Sequence, residues 1–211
     1  MRYAKMLALA AMAAGALMAF IGAGTASANV VCSTNESPCP AGQKWPDHIA
    51  NVDFSSEGST RLIDVATGET TDTCKESTLT GTFTQGTTAT NPGNPILHAT
   101  ELKWTNCTFP TKTTELGTLE LDPIVGGKGN ATVTGKNFKV TINTVLFGSC
   151  IYGTGENLSL GDLTEGNPAI FHAAVHVPFI SGGFACPKTA EWNATYKITS
   201  PSNTTGALVS K

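Results

Sequence analysis

Charge is scarce in this sequence. Lys, Arg, Asp and Glu make up 14% of its 211 residues, and the formal net charge is −3. No Lys/Arg run or basic stripe occurs, which argues against nucleic acid or an anionic membrane as partner. Aromatic residues are also few, at 7%. After residue 28, no long segment repeats apolar residues at helical spacing. A βαβ fold needs crossover helices, and the sequence supplies none. The familiar chemical motifs are missing as well. There is no Gly-x-Ser-x-Gly elbow, no Cys-x-x-Cys pair and no EF-hand pattern. Gly126-Gly127-Lys128-Gly129 has the composition of a phosphate loop without its spacing or its following helix, and reads as a hairpin turn. Taken together, these absences yield no catalytic residue, no metal and no cofactor. They disfavour an enzyme without excluding one.

The N-terminus has the three parts of a secretory signal peptide. Arg2 and Lys5 make a cationic start, an uncharged apolar run extends from Met6 to about Gly24, and Ala26-Ser27-Ala28 is a small-x-small cleavage site. Residues 1–28 are therefore read as a signal peptide, with the mature chain starting at Asn29. Val31 before Cys32 argues against lipid attachment. Cleavage removes two positive charges and no negative ones, leaving the mature chain slightly more acidic. No integral membrane segment is expected after the leader is gone, and the expected location is secreted, extracellular or at the cell envelope.

All six cysteines, Cys32, Cys39, Cys74, Cys107, Cys150 and Cys186, lie beyond the leader. An even count in an exported chain reads as three disulfides. Six cysteines allow about 15 pairings. Chain order suggests Cys32 with Cys39 across a short loop, then Cys74 with Cys107 and Cys150 with Cys186. Each bridge contributes roughly 2–4 kcal/mol, mostly through the unfolded chain.

What the sequence does have is threonine and alternation. Trp192-Asn193-Ala194-Thr195-Tyr196-Lys197-Ile198-Thr199 places Trp192, Ala194, Tyr196 and Ile198 on one face. Phe138 to Ile142 alternates likewise and runs into the apolar Val145-Leu146-Phe147. Residues 61–65, 79–83, 96–104, 116–121, 131–133 and 170–179 also read as strands. Gly-, Pro- and Asn-rich breaks separate them. The expectation is an all-β fold, an antiparallel β-sandwich or related barrel stabilised by disulfides. Residues 29–47 read as an irregular N-terminal arm and 48–211 as one all-β domain. Asn94-Pro95-Ile96-Leu97-His98-Ala99 resembles Asn167-Pro168-Ala169-Ile170-Phe171-His172-Ala173, with cysteines before and after each copy. The domain is therefore read as a candidate for two duplicated halves.

Several side chains invite a chemical reading. His172 and His176 are four apart, but on a strand that spacing spans ~13 Å, too far for one metal ion. His98 approaches His172 only if symmetry relates the halves. Glu120/Asp122 and Glu156/Asp162 are carboxylate pairs of the kind glycoside hydrolysis needs. Ser181 reads as a turn residue. Trp104 and Trp192 read as core, while Trp45 has no clear place. Asn-x-Ser/Thr triplets start at Asn35, Asn106, Asn130, Asn157, Asn193 and Asn203, and a Thr-rich chain produces such triplets by chance.

The leader and the Cys/Thr-rich β pattern resemble those of secreted proteins of high-GC Gram-positive bacteria. That resemblance implies export and says nothing of activity. The functional expectation is a non-catalytic extracellular or envelope-associated binding or structural protein, with cell-surface or glycan contacts as its partner class. The alternatives are a small-ligand-binding sandwich or barrel, a secreted hydrolase, and an oligomeric β pore. The ligand-binding alternative requires a deep apolar cavity with a few polar groups.

Overall fold

A computed structural model describes residues 30–33, 40, 42–45, 48–85, 87–88, 91–124, 129–145, 148–166, 168–200 and 208–210. The leader at 1–28 lies outside these residues, as do Cys39, Asn35 and Asn203. The described residues are extended or irregular, and none is helical. The strands are β1 (Val30–Cys32), β2 (His48–Ser56), β3 (Thr60–Asp64), β4 (Thr70–Thr84), β5 (Thr87–Thr88), β6 (Asn91–Pro92), β7 (Ile96–Cys107) and β8 (Thr111–Glu115). They continue with β9 (Thr118–Pro123), β10 (Ala131–Lys136), β11 (Lys139–Thr144), β12 (Gly148–Gly153), β13 (Leu158–Thr164), β14 (Ile170–Gly182), β15 (Thr189–Ser200) and β16 (Leu208–Ser210).

The ladders reduce this inventory to a simple plan. β2 and β3 both run antiparallel to β4 on one side and to β15 on the other, so they are two parts of one interrupted run. β10 with β11 and β12 with β13 are likewise parts of single runs, and β8 with β9 makes another, both pairing with the β10–β11 run on one side while β9 alone is laddered to β7 on the other. The resulting runs are β2–β3, β4, β7, β8–β9, β10–β11, β12–β13, β14 and β15. Each lies antiparallel beside the one before it, and β15 closes back onto β2–β3. The all-β, antiparallel expectation holds, and the closure decides between its two forms. The structure is an up-and-down barrel, because a sandwich would leave free sheet edges.

Kinks let the short runs curve. The breaks at 117, 137 and 155 sit side by side. Gly117 abuts the Lys136 carbonyl, and the Asn137 N–H donates to the Gly155 carbonyl at 2.6 Å. Asn137 adopts a φ of 60°, a left-handed conformation that asparagine tolerates better than most residues. Gly161 shows the closest approach. Its φ is 139°, and a Cβ there would stand 1.9 Å from the His172 carbonyl oxygen. Only glycine fits that position, where β13 shifts register against β10.

Alternation sorts the side chains into two shells. On β14, Phe171, Ala173, Val175 and Val177 are buried, while His172, Ala174, His176 and Pro178 are exposed. β15 turns Ala194 and Tyr196 inward as its pattern predicted, with Trp192 and Ile198 half-buried on the same face, and Ala190 extends that row. β4 changes parity at Lys75–Glu76, so that Asp72 and Cys74 face in above and Ser77, Leu79 and Phe83 face in below.

One barrel end is sealed by the chain's own N-terminal segment. β1 pairs with β16, and Val31 and Trp45 are buried. Trp45 meets Phe83 edge to face at 5.5 Å. The Gln85 side chain binds this plug three times. It accepts from the Val31 N–H at 2.9 Å and donates to the carbonyls of Val31 at 3.2 Å and Trp45 at 2.9 Å. The arm at 29–47 is thus not wholly irregular, because its apolar residues find a lid position over the core.

The opposite end carries two disulfides. Cys74–Cys107 joins directly opposed residues of β4 and β7, and Cys150–Cys186 ties β12 to the loop between β14 and β15. Both pairings match the order along the chain. Cys32 is disulfide-bonded as well, and the expected partner Cys39 lies outside the described residues. One sequence expectation needs correction here, at Ser181. Val145 follows β11, which ends at Thr144, and sits in an exposed turn. Ser181 belongs to β14 and pairs with Ile151, so it is a strand residue and not part of a turn.

Candidate ligand cavity

Above the plug the barrel is not filled. A cavity of about 70 Å³, taken as the space open to the centre of a water-sized sphere, occupies the half nearer the disulfides. That is several times the room one water needs. Its wall is almost wholly apolar, with Leu62, Leu102, Trp104, Val140, Ile142 and Trp192 among its residues. A second void nearer the plug, of about 20 Å³, is much smaller.

Aromatic rings set the cavity's shape. Trp192 meets Trp104 edge to face on one side and Tyr196 on the other, each at 6.0 Å. Tyr196 stacks on Phe171 at 6.0 Å. The Tyr196 hydroxyl shares a 2.9 Å hydrogen bond with the buried Ser77 hydroxyl. Burial holds that phenol protonated far above its ordinary range, against smaller opposing effects of Ser77 and Trp192. Tyr152 donates to the Pro187 carbonyl at 3.1 Å, and its pKa is pushed up to about 12 by burial and then by the Asp64 charge.

Polar groups in this wall are few, and most are already used. Asp72 is buried, yet its carboxylate accepts from the N–H of Thr73 at 2.9 Å, the N–H of Phe109 at 3.1 Å and the Thr111 hydroxyl at 2.5 Å. It pins the 108–110 turn to β4. Asp72 also lies within metal-ligand range of Cys74 and Cys107, but those sulfurs are spent in a disulfide and offer no thiolate. Thr60 is different. It is 1% exposed, lines the cavity, and its hydroxyl has no hydrogen-bond partner. The Trp192 indole N–H is buried as well, but it faces the Tyr196 hydroxyl and acts on that phenol, so it is not a free donor.

The wall has one seam. β7 and β8 share no ladder, although β8 runs beside β7. The Thr113 hydroxyl bridges them instead, accepting from the Trp104 N–H at 3.1 Å and donating to the Leu102 carbonyl at 2.9 Å.

The other sequence candidates scatter over the outside. His172 and His176 face outward on a strand. His172 lies 3.3 Å from the Thr195 hydroxyl and His176 3.6 Å from the Glu191 carboxylate. His98 is exposed on β7, four strand positions round the barrel from β14, so it does not approach His172. Glu120 and Asp122 do share one patch of β9. Lys136 binds Glu120 at 2.8 Å, Asn94 binds both carboxylates, and Thr134 binds Asp122 at 3.4 Å. The Lys136 ammonium, helped by Asn94, holds the Glu120 carboxyl below its ordinary range against partial burial. A carboxyl held low in this way is a poor general acid. Glu156 lies in the exposed turn before β13 and Asp162 on an exposed position of that strand, so no cleft joins them. Trp104 and Trp192 belong to the cavity wall, and Trp45 to the plug.

Thr60, Asp72 and Gln85 escaped the sequence reading. A faint signal exists for Thr60, which shares parity with the apolar Leu62. No protein-family model, curated protein or solved structure matches this chain.

Proposed function

We propose that this is an exported, non-catalytic binding protein that holds a small apolar ligand inside its barrel. The observation that carries the proposal is an unfilled, almost entirely apolar cavity in the barrel lumen. Protein interiors pack as densely as organic crystals, and a void forfeits contact energy along its whole lining. An apolar cavity of this kind stays dry and accepts apolar molecules. Disulfides suit an oxidising compartment, which agrees with export.

Polarity favours this reading over the pore. A membrane barrel turns apolar residues outward and polar ones inward. Here His98, Glu101 and Lys103 face out from β7 while Leu97 and Leu102 face in.

The test is a titration of the full mature chain with toluene, followed by tryptophan emission and calorimetry. Saturable binding with a negative heat-capacity change is expected. A linear, non-saturating response would overturn the proposal.

A further inference from the structure

The cavity's unpaired hydroxyl says what kind of ligand fits it; this inference rests on the ligand-carrier reading. We infer that the ligand is an uncharged, mainly hydrocarbon molecule bearing one oxygen, a small alcohol or ketone, held at Thr60.

Thr60 begins β3 and pairs with Cys74. Its hydroxyl lies in an apolar wall with nothing to bond. A buried hydroxyl without a partner costs more than an apolar group of the same shape, so valine would serve a purely structural core better. Trp192 pairs with Leu62, two residues along from Thr60, and so packs beside it on the adjacent strand. Its indole N–H serves the Tyr196 hydroxyl, which leaves Thr60 as the group free to meet a ligand. A threonine hydroxyl can donate or accept. It therefore suits a ketone oxygen or a hydroxyl on the ligand.

The charge of the ligand follows from the rest of the wall. Arg61 borders the cavity but is itself exposed, and no other cation lines it. Asp72 lies at the disulfide end of the cavity, and its oxygens are already bonded. A carboxylate would enter unpaired beside Asp72, and an ammonium would have to compete with three existing donors. A neutral oxygen meets neither penalty.

The experiment compares hexane, hexanol, methyl butyl ketone, hexanoate and hexylamine on the full mature chain and on Thr60→Val. Hexanol and the ketone are expected to bind about threefold to tenfold tighter than hexane, the effect of one net hydrogen bond. Thr60→Val should erase that preference and melt no lower than the parent. Equal binding of hexane and hexanol, or a preference that survives Thr60→Val, would overturn the inference and leave the carrier reading intact. Tighter binding of hexanoate or hexylamine would overturn the neutral head group. Failure of hexane and toluene alike would overturn the carrier reading itself.

Discussion

Trp104 and Trp192 meet edge to face inside the barrel, with ring centroids 6.0 Å apart and planes at 66°. They come from β7 and β15, which are separated along the wall by β4 and β2–β3. Their contact therefore spans the lumen instead of following a ladder. Trp104→Ala removes one side of it and also the donor to Thr113. A loss of about 2–4 kcal/mol is expected, near the lower end for a large core truncation because Trp104 is only half-buried. The enlarged cavity should then prefer naphthalene over toluene relative to the parent. Denaturant unfolding and ligand titration measure the two effects, and an unchanged preference would place ligand outside the lumen.

Gln85 controls the plug. Its side chain is 2% exposed and satisfies one N–H and two carbonyls of the N-terminal segment. Gln85→Leu keeps the bulk and orphans the Val31 N–H and the Trp45 carbonyl, while the Val31 carbonyl keeps its bond from the Trp45 N–H at 3.0 Å, so it should destabilise by about 2–4 kcal/mol. Amide exchange at Val31 should rise together with that loss. Full protection there in the variant would show that β1–β16 pairing alone holds the plug.

Tyr152 makes the protein sensitive to alkali. Its pKa in the folded state is pushed up to about 12, against 10.0 for the free side chain. The folded state therefore keeps a proton that the unfolded chain releases. This contribution is fully present below pH 10.0 and disappears as pH rises towards about 12. Unfolding midpoints should fall across that window, and Tyr152→Phe should fall less steeply. Identical slopes for parent and variant would contradict the assignment.

The antiparallel class was legible because the inner shell depends on period-two alternation, which Trp192 to Thr199 and Phe171 to Val177 display locally. Barrel closure was not. It depends on β15 reaching β2–β3, more than a hundred residues earlier in the chain, and no local signal encodes which edges meet. The cavity was equally hidden, because an inward threonine such as Thr60 has the same pattern as one filling a core. Asp72 could not be singled out either, since its inward parity is fixed by the shift at Lys75–Glu76 that reverses the face of β4. Disulfide order came through since both bridges connect neighbours in a meander, where sequence order is also spatial order.

That meander order gives the two bridges a comparison worth making. Cys74 and Cys150 lie on β4 and β12, four positions apart round the barrel, and the Asn-Pro starts of β7 and β14 are four positions apart as well. The sequence separations are 33 and 36. Loop-closure entropy then differs between them by less than about 0.2 kcal/mol. Replacing either pair by alanine should therefore cost a similar ~2–4 kcal/mol through the unfolded state. The local consequences should differ. Cys74–Cys107 braces residues that the β4–β7 ladder already pairs. Cys150–Cys186 is instead the covalent hold on the 183–188 loop, where Phe184 is 96% exposed. Limited proteolysis with chymotrypsin should thus cut at Phe184 much faster after Cys150→Ala/Cys186→Ala, and at an unchanged rate after Cys74→Ala/Cys107→Ala. Equal acceleration in both variants would mean that cleavage follows global unfolding, and that the loop has no independent restraint from its bridge.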